Sequence, residues 1–203
     1  MTDLSFFENR RPGVFSDRPL RRSAVMIPVL ETSKGQQLLF EQRSEALRTQ
    51  PGDICFPGGQ VEDGETPRQA ALREICEELL VEPGQVRILG PADVFAGAAR
   101  QIHPFVCVLS DYAGDFNRDE VARTFTVPLA WLLAQEPKVY RMSWKPQLPE
   151  DFPFDKIHGG RDYGWRRMEE EILFYEYGEL VIWGLTAKLV RAFVQAVNEA
   201  GDV

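Results

Sequence analysis

Histidine occurs only twice in these 203 residues, as His103 and His158. Neither stands beside a serine or cysteine nucleophile motif, so catalysis built on a histidine base has little to work with, and both read as structural. Cysteine is nearly as scarce, at Cys55, Cys76 and Cys107. The count is odd and no CxxC pair exists, which argues against a disulfide framework and against a zinc site. The three thiols read as reduced and buried, as in a cytoplasmic compartment. No apolar run approaches the ~20 residues of a membrane-spanning helix, so no membrane partner is expected. The opening MTDLSFFENRRPG has no long apolar stretch and does not read as a secretory signal, and the closing AGDV is not a peroxisomal address. An excess of positive charge is missing too: 23 Lys and Arg face 31 Asp and Glu, a formal net charge of −8. That argues against nucleic acid as a partner, since such binding rests on cationic contacts to phosphate. A nucleotide substrate stays open, because bound metal ions can supply the positive charge. No internal repeat is visible.

What is present is ordinary for a globular chain, 44% hydrophobic and 27% charged, at a length that suits one domain over residues 1–203. Residues 1–20 are polar, with Pro12 and Pro19, and read as an extended lead-in. The run SAVMIPVL, Ser23 to Leu30, is the pattern of a strand buried on both faces. Pro28 lacks a ladder donor and is expected at an edge or a bulge. A turn at 32–35 leads to a partner strand over 37–42. Thr66, Pro67 and Gln69 form the start signal of a helix, with a capping box and proline at its first position, and Pro83-Gly84 ends that segment. Strands are expected at 86–89 and 105–109, and VPLAWLL at 127–133 reads as a short helix after a strand. Residues 136–168 hold four prolines and read as an irregular insertion, the kind of segment that is usually functional or mobile. A hairpin over 172–177 and 180–183 and a helix over 185–197 complete the chain.

The chemistry lies in the helix that starts at Thr66. Glu74, Glu77 and Glu78 stand at i, i+3 and i+4, so their carboxylates share one surface, expected opposite the face of Leu72, Ile75 and Leu79. Like charges at this spacing cost roughly 0.2–0.5 kcal/mol each. A hard divalent cation compensates: Mg²⁺ takes oxygen ligands and is held by a few carboxylates plus substrate phosphates. An isolated E-x-x-E-E is more often a solvated acidic face, and context decides here. Pro57-Gly58-Gly59 supplies a loop whose backbone can approach a ligand. Glu65 and Arg73 flank the array, and an arginine can hold a carboxylate in a fixed fork.

These residues resemble the Nudix box, G-x5-E-x7-R-E-U-x-E-E-x-G-U with U aliphatic. Gly59, Glu65, Arg73, Glu74, Ile75, Glu77, Glu78 and Val81 are in register. The departure is Leu80, at the late glycine that shapes the turn leaving the helix. The resemblance implies an α/β fold, an α/β/α sandwich with a mixed β-sheet. It implies attack of water on one phosphorus of a pyrophosphate, with Mg²⁺ or Mn²⁺ polarising the phosphoryl oxygens and lowering the pKa of the water. The implied metal ligands are Glu74, Glu77, Glu78 and the Gly58 carbonyl, with Arg73 and Glu65 completing the catalytic box. Nudix enzymes often use a further glutamate from a loop near this point as base or extra ligand. Glu120 is the candidate, against a box glutamate as the base and against Glu120 being a plain exposed acid.

Upstream, Arg43-Ser44-x3-Arg48-x3-Gly52-x3-Phe56-Pro57-Gly58-Gly59 resembles the signature of coenzyme A pyrophosphatases. That pattern opens Leu-Leu-Thr where this chain has Leu39-Phe40-Glu41. Trp183-Gly184-Leu185-Thr186-Ala187 is also similar to that subfamily. The match spans roughly 22–133 and, loosely, 172–193. It implies a coenzyme A-like small molecule as substrate, split to 4′-phosphopantetheine and adenosine 3′,5′-bisphosphate, with Arg43, Arg48, Phe56, Gly58 and Gly59 as substrate contacts. Arginine suits a substrate that carries a pyrophosphate and a ribose phosphate; structural ion pairs with nearby acids are the alternative. The aromatics of 136–168 fit stacking on adenine, core packing or a homodimer contact. The rival readings are a Nudix enzyme for ADP-ribose or a dinucleotide, and a non-catalytic Nudix binding module. The mark of the second is loss of box carboxylates, and all of them are present.

Overall fold

The structure, a computed structural model, describes residues 5–10, 19–97 and 100–201. Pro12 and most of the expected lead-in lie outside them.

The apolar run becomes β1 (Arg21–Thr32), and its two faces feed two separate cores. Met26 packs into one and Ile27 into the other, as period-2 alternation requires. On one side β1 runs parallel to β7 (Arg100–Leu109), which carries β5 (Val86–Pro91) and β6 (Phe95–Ala96) antiparallel beyond it. On the other side it pairs antiparallel with β2 (Gly35–Arg43) and with β4 (Gly58–Gln60). β2 in turn pairs with β3 (Ile54–Cys55) and β8 (Val121–Pro128). Among the described residues the result is a mixed eight-stranded sheet.

Pro28 corrects the edge-or-bulge expectation, because β1 is an interior strand. Met26 N–H donates to Pro57 O, so by alternation the Pro28 nitrogen faces the same side. There β4 pairs only through Val25 and β2 only from Val29, so proline occupies a gap in the ladder where no donor is needed.

Helix α1 (Pro67–Leu79) covers one face of the sheet. Its start is as read: the Thr66 hydroxyl accepts from Gln69 N–H, and the Gln69 side chain accepts from Thr66 N–H. The opposite face is covered by α3 (Gly184–Gly201), whose Val190, Phe193 and Val194 pack over Ile27, Leu38 and Phe40. The short helix α2 (Leu129–Leu133) packs in the same core. Helices on both faces of a mixed sheet make the α/β/α sandwich expected.

The 136–168 segment is less irregular than its prolines suggest. It contributes β9 (Lys138–Trp144), which with β10 (Met168–Tyr177) and β11 (Leu180–Trp183) forms a second, three-stranded sheet. The partner of β9 lies beyond the proline-rich stretch, and every residue of β9 is exposed, so no local burial pattern marks it. Of the three free thiols only Cys107 is fully buried. His103 is half-buried on β7, and His158 is exposed.

Candidate active site

The sheet-facing rows of α1 are Ala70-Glu74-Glu78 and Ala71-Ile75-Leu79, spaced by four. This corrects the expectation that the carboxylates stand opposite the apolar face. The small Ala70 and Ala71 let the helix sit close to β1 and β4, and Glu78 is carried inward to 2% exposure while Leu72 moves to the flank. Only the Glu77 side chain, 54% exposed, stays out in solvent.

The loop before β4 is shaped around these carboxylates. Gly58 N–H donates to Glu78 Oε2 at 2.8 Å. At Gly59 a Cβ would lie 2.2 Å from Glu74 Oε1, so close approach, rather than backbone conformation, requires glycine there. Burial, reinforced by the facing charge of Glu41, pushes the Glu78 carboxyl up to about 9. Burial also raises Glu74, against the pull of Arg73.

Arg73 is the hub of the outer half. Its Nε and Nη2 grip the two oxygens of Glu65 at 3.1 and 3.2 Å. Nη1 reaches Glu74 at 2.9 Å and Glu77 at 3.1 Å, and Nη2 donates to Gln60 O at 3.2 Å. The same hydrogen bonds hold Glu65 below the usual carboxylate range. One guanidinium thus fixes three box glutamates and the strand they face.

Two further carboxylates close the inner half. The 117–120 loop is tied to α1 by Asn117 N–H donating to Glu78 O at 2.8 Å, and to the end of β2 by Ser44 N–H donating to Glu120 O at 2.8 Å. This brings the charge of Glu120 to bear on Glu41, Glu74 and Glu78. Glu41, on β2, is fully buried. Cys55 Sγ donates to its Oε1 at 3.3 Å, and among the described residues Oε2 has no partner. Burial lifts this carboxyl to about 7.

Among the described residues, no three Asp, Glu, His or Cys side chains form a ready-made cage. The donor set nonetheless fits a hard cation. It is all oxygen, it holds two buried carboxylates that repel each other, and Glu41 Oε2 lacks any other partner.

The expected substrate contacts are more scattered. Arg43 Nε donates to Thr49 O at 3.3 Å, and Arg43 lines a cavity of about 220 Å³ with Gln50, Asp53, Cys55 and Trp183. Phe56 lines the same cavity but is 2% exposed and stacked on Phe40, with centroids 4.7 Å apart, so it is mainly a core residue. Arg48 is exposed on the loop after β2. A second cavity, about 380 Å³, adjoins the first through Trp183, Gly184 and Leu185 and is lined by Phe95, Arg100 and Lys188. The pairing of Thr186 Oγ1 to Ile54 O at 2.9 Å ties the start of α3 to β3 at this point. Glu41 and Cys55 join the candidate site although no motif marks them. The signal was an acid in the middle of an apolar strand.

Known proteins agree with this architecture. The family profile described as NUDIX domain matches residues 20–148. A protein named Uncharacterized Nudix hydrolase NudL, from Escherichia coli O7:K1, is 31% identical over 194 residues, 93% of this chain and 89% of that one. One of the same name from Cronobacter sakazakii is 31% identical over 202 residues, 97% and 93% of the two chains. The crystal structure of a MutT/nudix family protein from Enterococcus faecalis shares the fold, with a TM-score of 0.52 at 12% identity, covering 96% of this chain and 68% of that one. Among the described residues no helix is long and apolar enough to cross a membrane. The chain belongs to the Nudix family and is a pyrophosphohydrolase.

Proposed function

We propose that this enzyme hydrolyses the pyrophosphate bond of coenzyme A or its derivatives, giving 4′-phosphopantetheine and adenosine 3′,5′-bisphosphate. The observation that supports this substrate is the cavity that joins Arg43 and Trp183 and meets the glutamate cluster at Cys55. It offers a cation for phosphate and a ring for a base. The adjoining cavity adds Arg100 and Lys188, so a long anionic substrate can run from one to the other.

Glu74, Glu77, Glu78 and the Gly58 carbonyl would hold the Mg²⁺ or Mn²⁺. When bound, the cation polarises phosphoryl oxygens and lowers the pKa of the attacking water. Arg73 acts by position, keeping Glu65, Glu74 and Glu77 from splaying apart. Glu120 is the proposed base that takes the proton from water, and a box glutamate is the alternative. Arg43 and Arg48 are the proposed grips on the phosphates.

The test is kcat/KM for coenzyme A, dephospho-coenzyme A and ADP-ribose in wild type, Arg43→Ala and Arg48→Ala. Loss of one charged contact should cost about 1.5–3 kcal/mol. It should appear mainly in KM, because the contact is made in ground and transition states alike, and it should fall unequally on the three substrates. ADP-ribose as the best substrate in wild type would refute the coenzyme A reading and leave the Nudix chemistry standing.

A further inference from the structure

Glu41 is absent from the box and stands where the coenzyme A pyrophosphatase pattern has threonine, so neither motif gives it a role. Along β2, Leu38 and Phe40 enter the core under α3, while Leu39 enters the core under α1. Alternation therefore puts Glu41 on the α1 face, beside Glu78. Its neighbours across the ladder are Cys55 on β3 and Thr124 on β8. The side chain is at 0% exposure. A thiol is a weak donor, and it satisfies only Oε1, leaving Oε2 without a partner among the described residues. Glu74, Glu78 and Glu120 act on it with like charge, and Arg43 partly offsets them. A buried carboxylate in that company is costly unless something positive joins it.

We infer that Glu41 is a further metal ligand, supplied by the sheet, which closes the buried side of the glutamate cluster opposite Glu78. The inference rests on the cluster being a cation site. The helix then contributes the outer ligands and β2 the inner one, with the Cys55 thiol fixing which oxygen of Glu41 is left free. The alternative is a proton shared between Glu41 and Glu78 with no cation between them.

Calorimetric titration with Mn²⁺ alone, on the full chain without substrate, separates these. The proteins are wild type, Glu41→Gln, Glu41→Thr and Glu78→Gln, each first shown to melt cooperatively in chelator. Glu41→Thr is the second variant because it is neutral, smaller and matches the residue of the related pattern. Both Glu41 variants should bind Mn²⁺ at least about tenfold more weakly, or bind one ion fewer per chain. They should also lose most of the rise in melting temperature that Mn²⁺ gives wild type. Unchanged affinity and stoichiometry in the Glu41 variants, with binding weakened in Glu78→Gln, would overturn the role of Glu41 and leave the metal site intact. Unchanged binding in all three would overturn the metal site itself.

Discussion

Replacing Glu78 by glutamine should make the metal-free protein more stable while destroying its activity. Glu78 is 2% exposed, and its carboxyl is lifted from 4.5 to about 9, chiefly by burial. A group whose folded pKa is raised contributes stability that is complete below its unfolded value and is lost as pH rises through the folded one. The affected window is therefore about pH 4.5 to 9. At pH 7 the penalty for keeping the proton is about 3 kcal/mol, at ~1.4 kcal/mol per unit. Glu41 shares the same repulsion, so the part recovered by glutamine is about 2–3 kcal/mol. The amide oxygen can still accept from Gly58 N–H, which limits the loss on substitution. For a chain of this size the gain corresponds to roughly 5–10 °C in melting temperature. The assay is thermal unfolding in chelator at pH 5 and pH 8. The difference between variant and wild type should be small at pH 5 and large at pH 8, and added Mn²⁺ should reverse it by stabilising wild type alone. Turnover should fall by orders of magnitude, about 3–5 kcal/mol of barrier. A difference that does not grow with pH, or a variant less stable throughout, would refute the idea that Glu78 is a strained buried acid.

Three other substitutions probe the parts separately. Gly59→Ala should fold normally but lose activity by about 100-fold, because its Cβ pushes the Glu74 carboxylate off the position in which Arg73 holds it; Gly58→Ala should unfold the protein, since its Cβ meets the Ala24 backbone oxygen at 2.4 Å, and melting curves with kcat distinguish the two. Leu80→Gly should stabilise by about 0.5–1 kcal/mol in urea denaturation, because Leu80 is 59% exposed and sits in the left-handed region at φ 52; no gain would mean its conformation carries no strain. Glu120→Gln should lower kcat far more than it raises KM, and an unchanged kcat would return the base to the box.

The parts of the structure legible in the sequence are those specified by local chemistry. The cap of α1 is written in Thr66, Pro67 and Gln69, and the two-faced burial of β1 in SAVMIPVL. The box spacing brings Glu65, Glu74 and Glu77 to one guanidinium, that of Arg73. What was not legible depended on partners distant in sequence. The inward turn of Glu78 is set by Ala70 and Ala71 letting α1 approach the sheet, and an E-x-x-E-E pattern alone cannot show it. β9 has its partner some 30 residues on, across the prolines. Pro28 looked like an edge residue because the handover from β4 to β2 along one side of β1 is a tertiary event. Leu80 replaces the glycine of the box yet still adopts the left-handed cap, so the turn is imposed by packing on either side of it. Glu41 looked like a blemish in a signature, and only the fold shows which carboxylates it faces.

The proposed reaction is cleavage of the pyrophosphate of coenzyme A by this glutamate cluster with a divalent cation. Its most direct test is product identification by mass spectrometry after incubating wild type and Glu78→Gln with coenzyme A and Mg²⁺ or Mn²⁺. Wild type should give equal amounts of 4′-phosphopantetheine and adenosine 3′,5′-bisphosphate, dependent on the cation and abolished in Glu78→Gln. Intact coenzyme A, with ADP-ribose or a dinucleotide cleaved under the same conditions, would contradict the substrate. Product formation undiminished in chelator would contradict the chemistry.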